Sequence, residues 1–176
     1  MRLDLPAPLC IRPHQPADYR RLCALVEAAF EEWRTQIGRE AFLAALDELL
    51  ACEPPHPGQI MVADQGGAVV GTVTYQGFDT DPRRLRPARW SAAHRLAVAP
   101  EVRRQGVGRR LLEACIDQAR DDRAEALCLY SPVSMAAGLA LCESLGFQPM
   151  PALDFRSCRP ESGGPTIARA LYLPIE

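Results

Sequence analysis

Residues 94–120 read HRLAVAPEVRRQGVGRRLLEACIDQAR, a short apolar strand, a glycine-bearing turn and an amphipathic helix run together. Pro100 ends the strand because its ring removes a donor and fixes φ. From Arg103 to Gly108 the chain enters a helix, and the first amides of a helix have no carbonyl behind them to bond. Unclaimed N–H groups at the positive end of a helix dipole attract anions. Gly106 and Gly108 carry no side chain, so a bulky diphosphate can approach the main chain there and the backbone can take positive φ. The stretch is therefore expected to be an anion cradle.

Spacing narrows the kind of cradle. No Gly-Lys-Ser/Thr follows, which excludes a P-loop, and Leu111 stands where the third glycine of a dinucleotide fingerprint belongs. Arg103-x-x-Gly106-x-Gly108 resembles the (Gln/Arg)-x-x-Gly-x-(Gly/Ala) signature of the GNAT superfamily of N-acetyltransferases, in which this turn grips the pyrophosphate of acetyl-CoA. Leu96-Ala97-Val98-x-Pro100 before it, Leu111-Leu112 after it and Leu145-Gly146-Phe147 downstream extend the likeness. The resemblance implies acetyl-CoA as acyl donor. It places Arg103, Arg104, Gln105, Gly106, Val107, Gly108 and Arg109 on the diphosphate, and the main chain of Leu96, Ala97 and Val98 on the pantetheine arm. By itself an arginine-rich glycine turn can also merely cap a surface helix.

Composition sets the frame around the motif. A chain of 176 residues suits one core, so 1–176 reads as a single domain. The apolar share is 48% and no window nears the roughly 18 apolar residues of a membrane span, so no membrane partner is expected. The first residues lack a basic segment leading into an apolar core, and a cytoplasmic location is the simplest expectation. Seven cysteines, at 10, 23, 52, 115, 128, 142 and 158, are odd in number and never form C-x-x-C, which points to reduced core residues rather than disulfides or a metal site. All 20 basic residues are arginine. A net charge of -2 gives no reason to expect nucleic acid. Between residues 83 and 123, however, eleven arginines face five carboxylates, a local excess suited to a polyanion.

The remaining elements follow from periodicity. A strand is expected at 9–12, and Pro16-Ala17-Asp18 opens a helix with Leu22, Leu25, Val26, Ala29 and Phe30 at helical spacing. A second helix is expected over 39–51. The β-branched runs 59–64 and 68–76 flank Gln65-Gly66-Gly67, a tight antiparallel hairpin. A polar connection, 79–89, leads to the strand before the turn. Past the helix come a strand at 126–130, a helix starting near Ser134, covered on two sides and ended by Gly146, a Pro- and Gly-bearing stretch at 149–165 and a strand at 166–173. The order β-α-α-β-β-β-α-β-α-β-β is that of the GNAT fold. The resemblance thus implies an α/β (α+β) architecture, a mixed central β-sheet of six to seven strands flanked by helices on both faces.

In that family the strands on either side of the signature helix splay apart and the pantetheine arm lies between them. An amide near Val98 would face the thioester oxygen, where a pre-aligned donor favours attack by an amine. The reaction implied is direct acetyl transfer to the primary amine of a small molecule or peptide, with no metal. Three features of the family's pattern are missing. Ala92 and Ala93 stand where a carboxylate base is usual, Cys142 where a tyrosine acid is usual, and Met135 where an asparagine is usual. His94 has the chemistry of a base at neutral pH, with an imidazole pKa of about 6.5; a strand histidine can equally make a structural hydrogen bond. Cys142 can serve as acid or as core, and Tyr130 or Ser134 is placed to deliver the proton instead.

Arg83, Arg84, Arg86 and Arg89 precede the signature strand and suit an acidic acceptor or a solvated loop. Trp33, Gln36 and Ile37 are expected between the first two helices, where the family walls its acceptor pocket. Missing acid, base and asparagine keep a second reading open, a non-catalytic acyl-CoA-binding sensor or regulatory domain of the same fold. A nucleotide binder using the same turn is a third. A homodimer is compatible with all of them.

Overall fold

The computed structural model describes residues 7–37, 58–78, 86–157 and 166–175. The helix expected over 39–51 and the arginines at 83 and 84 lie outside them. Strand β1 (Leu9–Pro13) leads through a 3-10 turn into helix α1 (Tyr19–Ile37). Strands β2 (Gln59–Gln65) and β3 (Ala68–Gln76) form the expected hairpin. Both of its turn glycines take positive φ, 63° at Gly66 and 84° at Gly67, as a two-residue turn of matching twist requires. Strand β4 (Trp90–Val98), helix α2 (Val107–Asp121), strand β5 (Ala126–Pro132) and helix α3 (Ala136–Ser144) follow. The short strands β6 (Gln148–Pro149) and β7 (Phe155–Ser157) both pair with β8 (Thr166–Pro174).

The sheet runs β1-β2-β3-β4-β5-β8-β6, with β7 beside β8. Seven strands on one path match the six to seven expected, and the eighth is a three-residue addition at the edge. Among the described strands the one parallel pair, β4 with β5, is the one joined by a helical crossover, as parallel strands require. Helix α2 lays Val107, Leu111, Leu112, Cys115, Ile116 and Ala119 over one face, against Met61, Ala63, Val73, Tyr75, Ala93, Leu127 and Leu129. Helix α1 packs its buried Leu22, Leu25, Val26 and Ala29 on β3 and β4, on the opposite face. No described helix is long and apolar enough to cross a membrane.

Both helices flanking β5 end the same way. Beyond α2, Arg123 takes φ 57° and the Ala124 N–H returns to the Ala119 carbonyl at 2.9 Å. Beyond α3, Gly146 takes φ 89° and the Phe147 N–H returns to the Cys142 carbonyl at 3.1 Å. The expected coverage of α3 on two sides is not what forms. Cys142 is buried, but Ala136, Ala137 and Ala140 are exposed, so the helix meets the core along one stripe. Its small residues allow this, because exposed alanines cost little.

Candidate functional site

The central strands part in the middle of the molecule. The β4–β5 register runs from Trp90 opposite Ala126 to Ala93 opposite Leu129 and stops, although β4 continues to Val98 and β5 to Pro132. Each strand keeps its outer neighbour: Val98 is still opposite Gly71 of β3, and Pro132 opposite Ala168 of β8. A gap lined by main-chain groups therefore opens between them.

A bulge in β4 sets what the gap presents. The β3–β4 register slips between Thr72 and Thr74, so Arg95 and Leu96 share the place opposite Val73, and Arg95 sits at φ 57°. The extra residue inverts the alternation of the strand. Before it, Ala93 faces the α2 core while Ala92 and His94 face the α1 side. After it, Leu96 and Val98 pack toward the α2 core and Ala97 is buried on the other side. The Ala99 N–H bonds to the Val70 carbonyl at 2.9 Å, so the neighbouring peptide of Val98 turns its N–H and C=O into the gap. Sequence reasoning missed the bulge because an arginine at positive φ carries no glycine or asparagine signal.

His94 and Tyr130 follow the last paired rung, Ala93–Leu129, one on each strand. Two residues past Ala92 and Cys128, they share the face covered by α1, and both are half-buried. They flank the mouth of the gap. Cys142 is elsewhere. Only 1% exposed, it lies in the core cluster beneath α3, where burial pushes its thiol up to about 11. Met135 caps α3 through its backbone, its carbonyl accepting the Gly138 and Leu139 N–H groups at 3.0 and 3.1 Å. Ser134, expected to start that helix, precedes this cap and is exposed.

At the far end of β4 the turn closes over Pro100–Val102. The Arg103 N–H is spent on the Pro100 carbonyl at 3.3 Å, one residue of the expected donor run. Arg104 at φ 64° and Gly106 at φ 86° then curl the backbone so that neighbouring amides converge. The first bond of α2 runs from the Arg110 N–H to the Gly106 carbonyl at 3.0 Å. Ahead of it, the amides of Gly106, Val107, Gly108 and Arg109 engage no acceptor among the described residues. A Cβ added at Gly106 would meet nothing within 4 Å, so the space over the cradle is open. At Gly108 a Cβ would lie 3.1 Å from Leu141 Cδ2 and 3.6 Å from Val98 Cγ2. That glycine lets α3 pack closely on the first turn of α2.

The side chains of the signature divide. Arg104, Gln105 and Arg110 are exposed around the cradle. Arg109 Nη2 donates to Ser144 Oγ at 2.8 Å, a second link to α3. Arg103 turns away from the cradle, its Nη2 donating to the Ala29 carbonyl of α1 at 2.7 Å. In the loop before β4, Arg86 Nε donates to the Trp90 carbonyl at 2.6 Å and Nη1 to Gln76 Oε1 at 3.0 Å. Arg89 pairs with Glu125 at 3.0 Å. These two fasten the loop to the sheet. Trp33, Gln36 and Ile37, expected between two helices, are within α1 itself.

The model of the acetyltransferase (GNAT) family matches residues 20–147. The [ribosomal protein bS18]-alanine N-acetyltransferase of Escherichia coli K12 is 41% identical over 80 residues, 46% of this chain and 53% of that protein. The chain thus spans about half the length of the curated relatives it matches. A solved ribosomal-protein-alanine N-acetyltransferase from Brucella melitensis superposes with a TM-score of 0.70 at 25% identity, covering 94% of this chain and 99% of that one. An acetyltransferase from Salmonella typhimurium, solved with its cofactor acetyl-CoA, shares the fold at a TM-score of 0.68 and 21% identity, covering 97% and 95% of the two chains.

Proposed function

Because the chain belongs to the acetyltransferase (GNAT) family, with residues 20–147 under the family model, we propose that it moves an acetyl group from acetyl-CoA to a primary amine. The acceptor class we favour is the N-terminal amine of a peptide or protein, in keeping with relatives named for the alanine of a ribosomal protein. The observation that carries the reading is the gap between β4 and β5 with an open cluster of amides at its far end.

Acetyl-CoA supplies the activated acyl group. Its diphosphate suits the amides of Gly106, Val107, Gly108 and Arg109 with Arg104 and Arg110 alongside, and its arm suits the edge of Leu96, Ala97 and Val98. The Val98 N–H turned into the gap is a donor where negative charge gathers on the acyl oxygen. At the mouth, His94 takes the proton from the incoming ammonium or amine, and the Tyr130 hydroxyl supplies one to the departing sulfur. A buried thiol with a raised pKa is a poor acid, so Cys142 is assigned to packing. No metal enters the scheme, and a cytoplasmic setting, without nucleic acid or membrane, belongs to the same proposal.

The test is steady-state release of CoA from acetyl-CoA with peptides bearing a free N-terminal alanine, against the same peptides N-acetylated. Release only with the free amine is expected. Tight acetyl-CoA binding with no acceptor-dependent release across a panel of amines would instead make the domain a sensor. In the wild type, kcat/KM should climb with pH through the His94 titration. His94→Gln should lose that acidic limb and about a hundredfold or more of the rate, and an unchanged profile would move the base elsewhere.

A further inference from the structure

We infer that Arg103 is a positioning residue, through which an occupied cradle steadies helix α1 over the face where the acceptor amine must enter. The inference rests on the proposed acyl transfer and adds a link between its two substrates. The first residue of the signature is expected on the diphosphate, yet its guanidinium points the other way. Nη2 donates to the carbonyl of Ala29 at 2.7 Å, and Nε lies 3.5 Å from the carbonyl of Val98. Ala29 is buried midway along α1, on the stripe that packs against β3 and β4. Its carbonyl also closes a turn of that helix, so Arg103 adds a charge-assisted bond to a group already in use. One planar fork therefore touches the helix, the strand edge that faces the gap and, through its own backbone, the turn.

The consequence is mechanical. Helix α1 covers the sheet face that bears Ala92, His94 and Tyr130, so any acceptor reaching them passes beside it. Local opening of α1 must break the Arg103–Ala29 bond or drag the turn along. A diphosphate held by the amides after Gly106 resists movement of the turn, and so raises the cost of opening α1. Arginine suits the task better than lysine, because a single ammonium does not present two fixed donors in one plane.

Hydrogen–deuterium exchange on the full chain, with and without saturating acetyl-CoA, reads this directly. In the wild type, binding should slow exchange at the cradle and also in α1 around residues 25–33, by about tenfold there. Arg103→Ala should bind acetyl-CoA within about fivefold of the wild-type Kd, since this guanidinium donates to the Ala29 and Val98 carbonyls and the cradle amides remain in place. It should keep the protection at 106–112 and lose the protection in α1. Arg103→Lys, which retains charge and one donor, should lie between and serves if the alanine variant does not fold. Equal α1 protection in wild type and variants, or none in the wild type, overturns the inference alone. A folded Arg103→Ala protein that binds over a hundredfold more weakly makes the side chain a ligand and overturns it too. Failure of the wild type to bind acetyl-CoA overturns the functional reading and this inference with it.

Discussion

Gly106 and Gly108 stand two residues apart and are glycine for different reasons. Gly106 needs the left-handed backbone that aims the cradle amides, with open space above it. Gly106→Val should therefore raise the Kd for acetyl-CoA by about tenfold or more while costing about 1–2 kcal/mol of stability, the strain of a β-branched residue at positive φ. Calorimetric titration beside a thermal melt separates the two, and an unchanged Kd would remove the turn from the binding site. The sequence made this pair legible because glycine advertises its own conformation. It hid the non-glycine left-handed positions, since Arg89, Arg95, Arg104 and Arg123 all adopt positive φ without the residue that usually signals it. Cys142 was ambiguous for another reason. Slot and spacing mark a position along a helix, but burial depends on what lies across from it.

At the scale of elements, the start of α2 is held between two neighbours. Arg103 ties the turn to α1, while Gly108 and Arg109 press and tie it to Leu141 and Ser144 of α3. Filling the Gly108 site should force these helices apart. Gly108→Val should lower stability by about 1–3 kcal/mol, and adding Leu141→Ala should cost less than the sum of the two single changes. Additive losses in a denaturant double-mutant cycle would mean that the helices do not meet through these residues. The hairpin, the amphipathic stripe of α2 and the Gly146 end of α3 could be read from periodicity and turn residues, because those signals are local. Strand separation could not. It depends on where two distant segments stop pairing, and both β4 and β5 continue in extended conformation past that point.

Across the whole molecule, one charged network joins the first strand, the first helix and the hairpin. Arg12 makes a two-pronged contact with Asp18, at 2.7 and 3.0 Å, and reaches Asp64 at 2.9 Å. Asp18 also accepts the Gln15 N–H at 2.8 Å, and Asp64 the Gly67 N–H at 2.8 Å. The Arg12 hydrogen bonds hold Asp18 down at about 2 against an ordinary 3.8, and Asp64 is lowered from the same cause. A depressed carboxyl stabilises the fold above its unfolded pKa. Stability should hold above about pH 4 and drain away as the pH falls from 3.8 toward 2, where the folded form also takes up the proton. Asp18→Asn should cost on the order of 1–3 kcal/mol at neutral pH and flatten that acid decline, as urea melts at several pH values would register. Equal slopes for both proteins would dismiss the network as a source of acid sensitivity. One further property follows from the way the two halves of the sheet are joined. Among the described residues, four opposed pairs of the sheet, Trp90 to Ala93 with Ala126 to Leu129, stitch one half to the other, with the Glu125 N–H to Arg89 carbonyl bond just before them. In the language of fracture the gap is a notch already cut, with its tip at Ala93 and Leu129. Stress from either half concentrates at that tip, and a molecule lying in the notch bridges the crack.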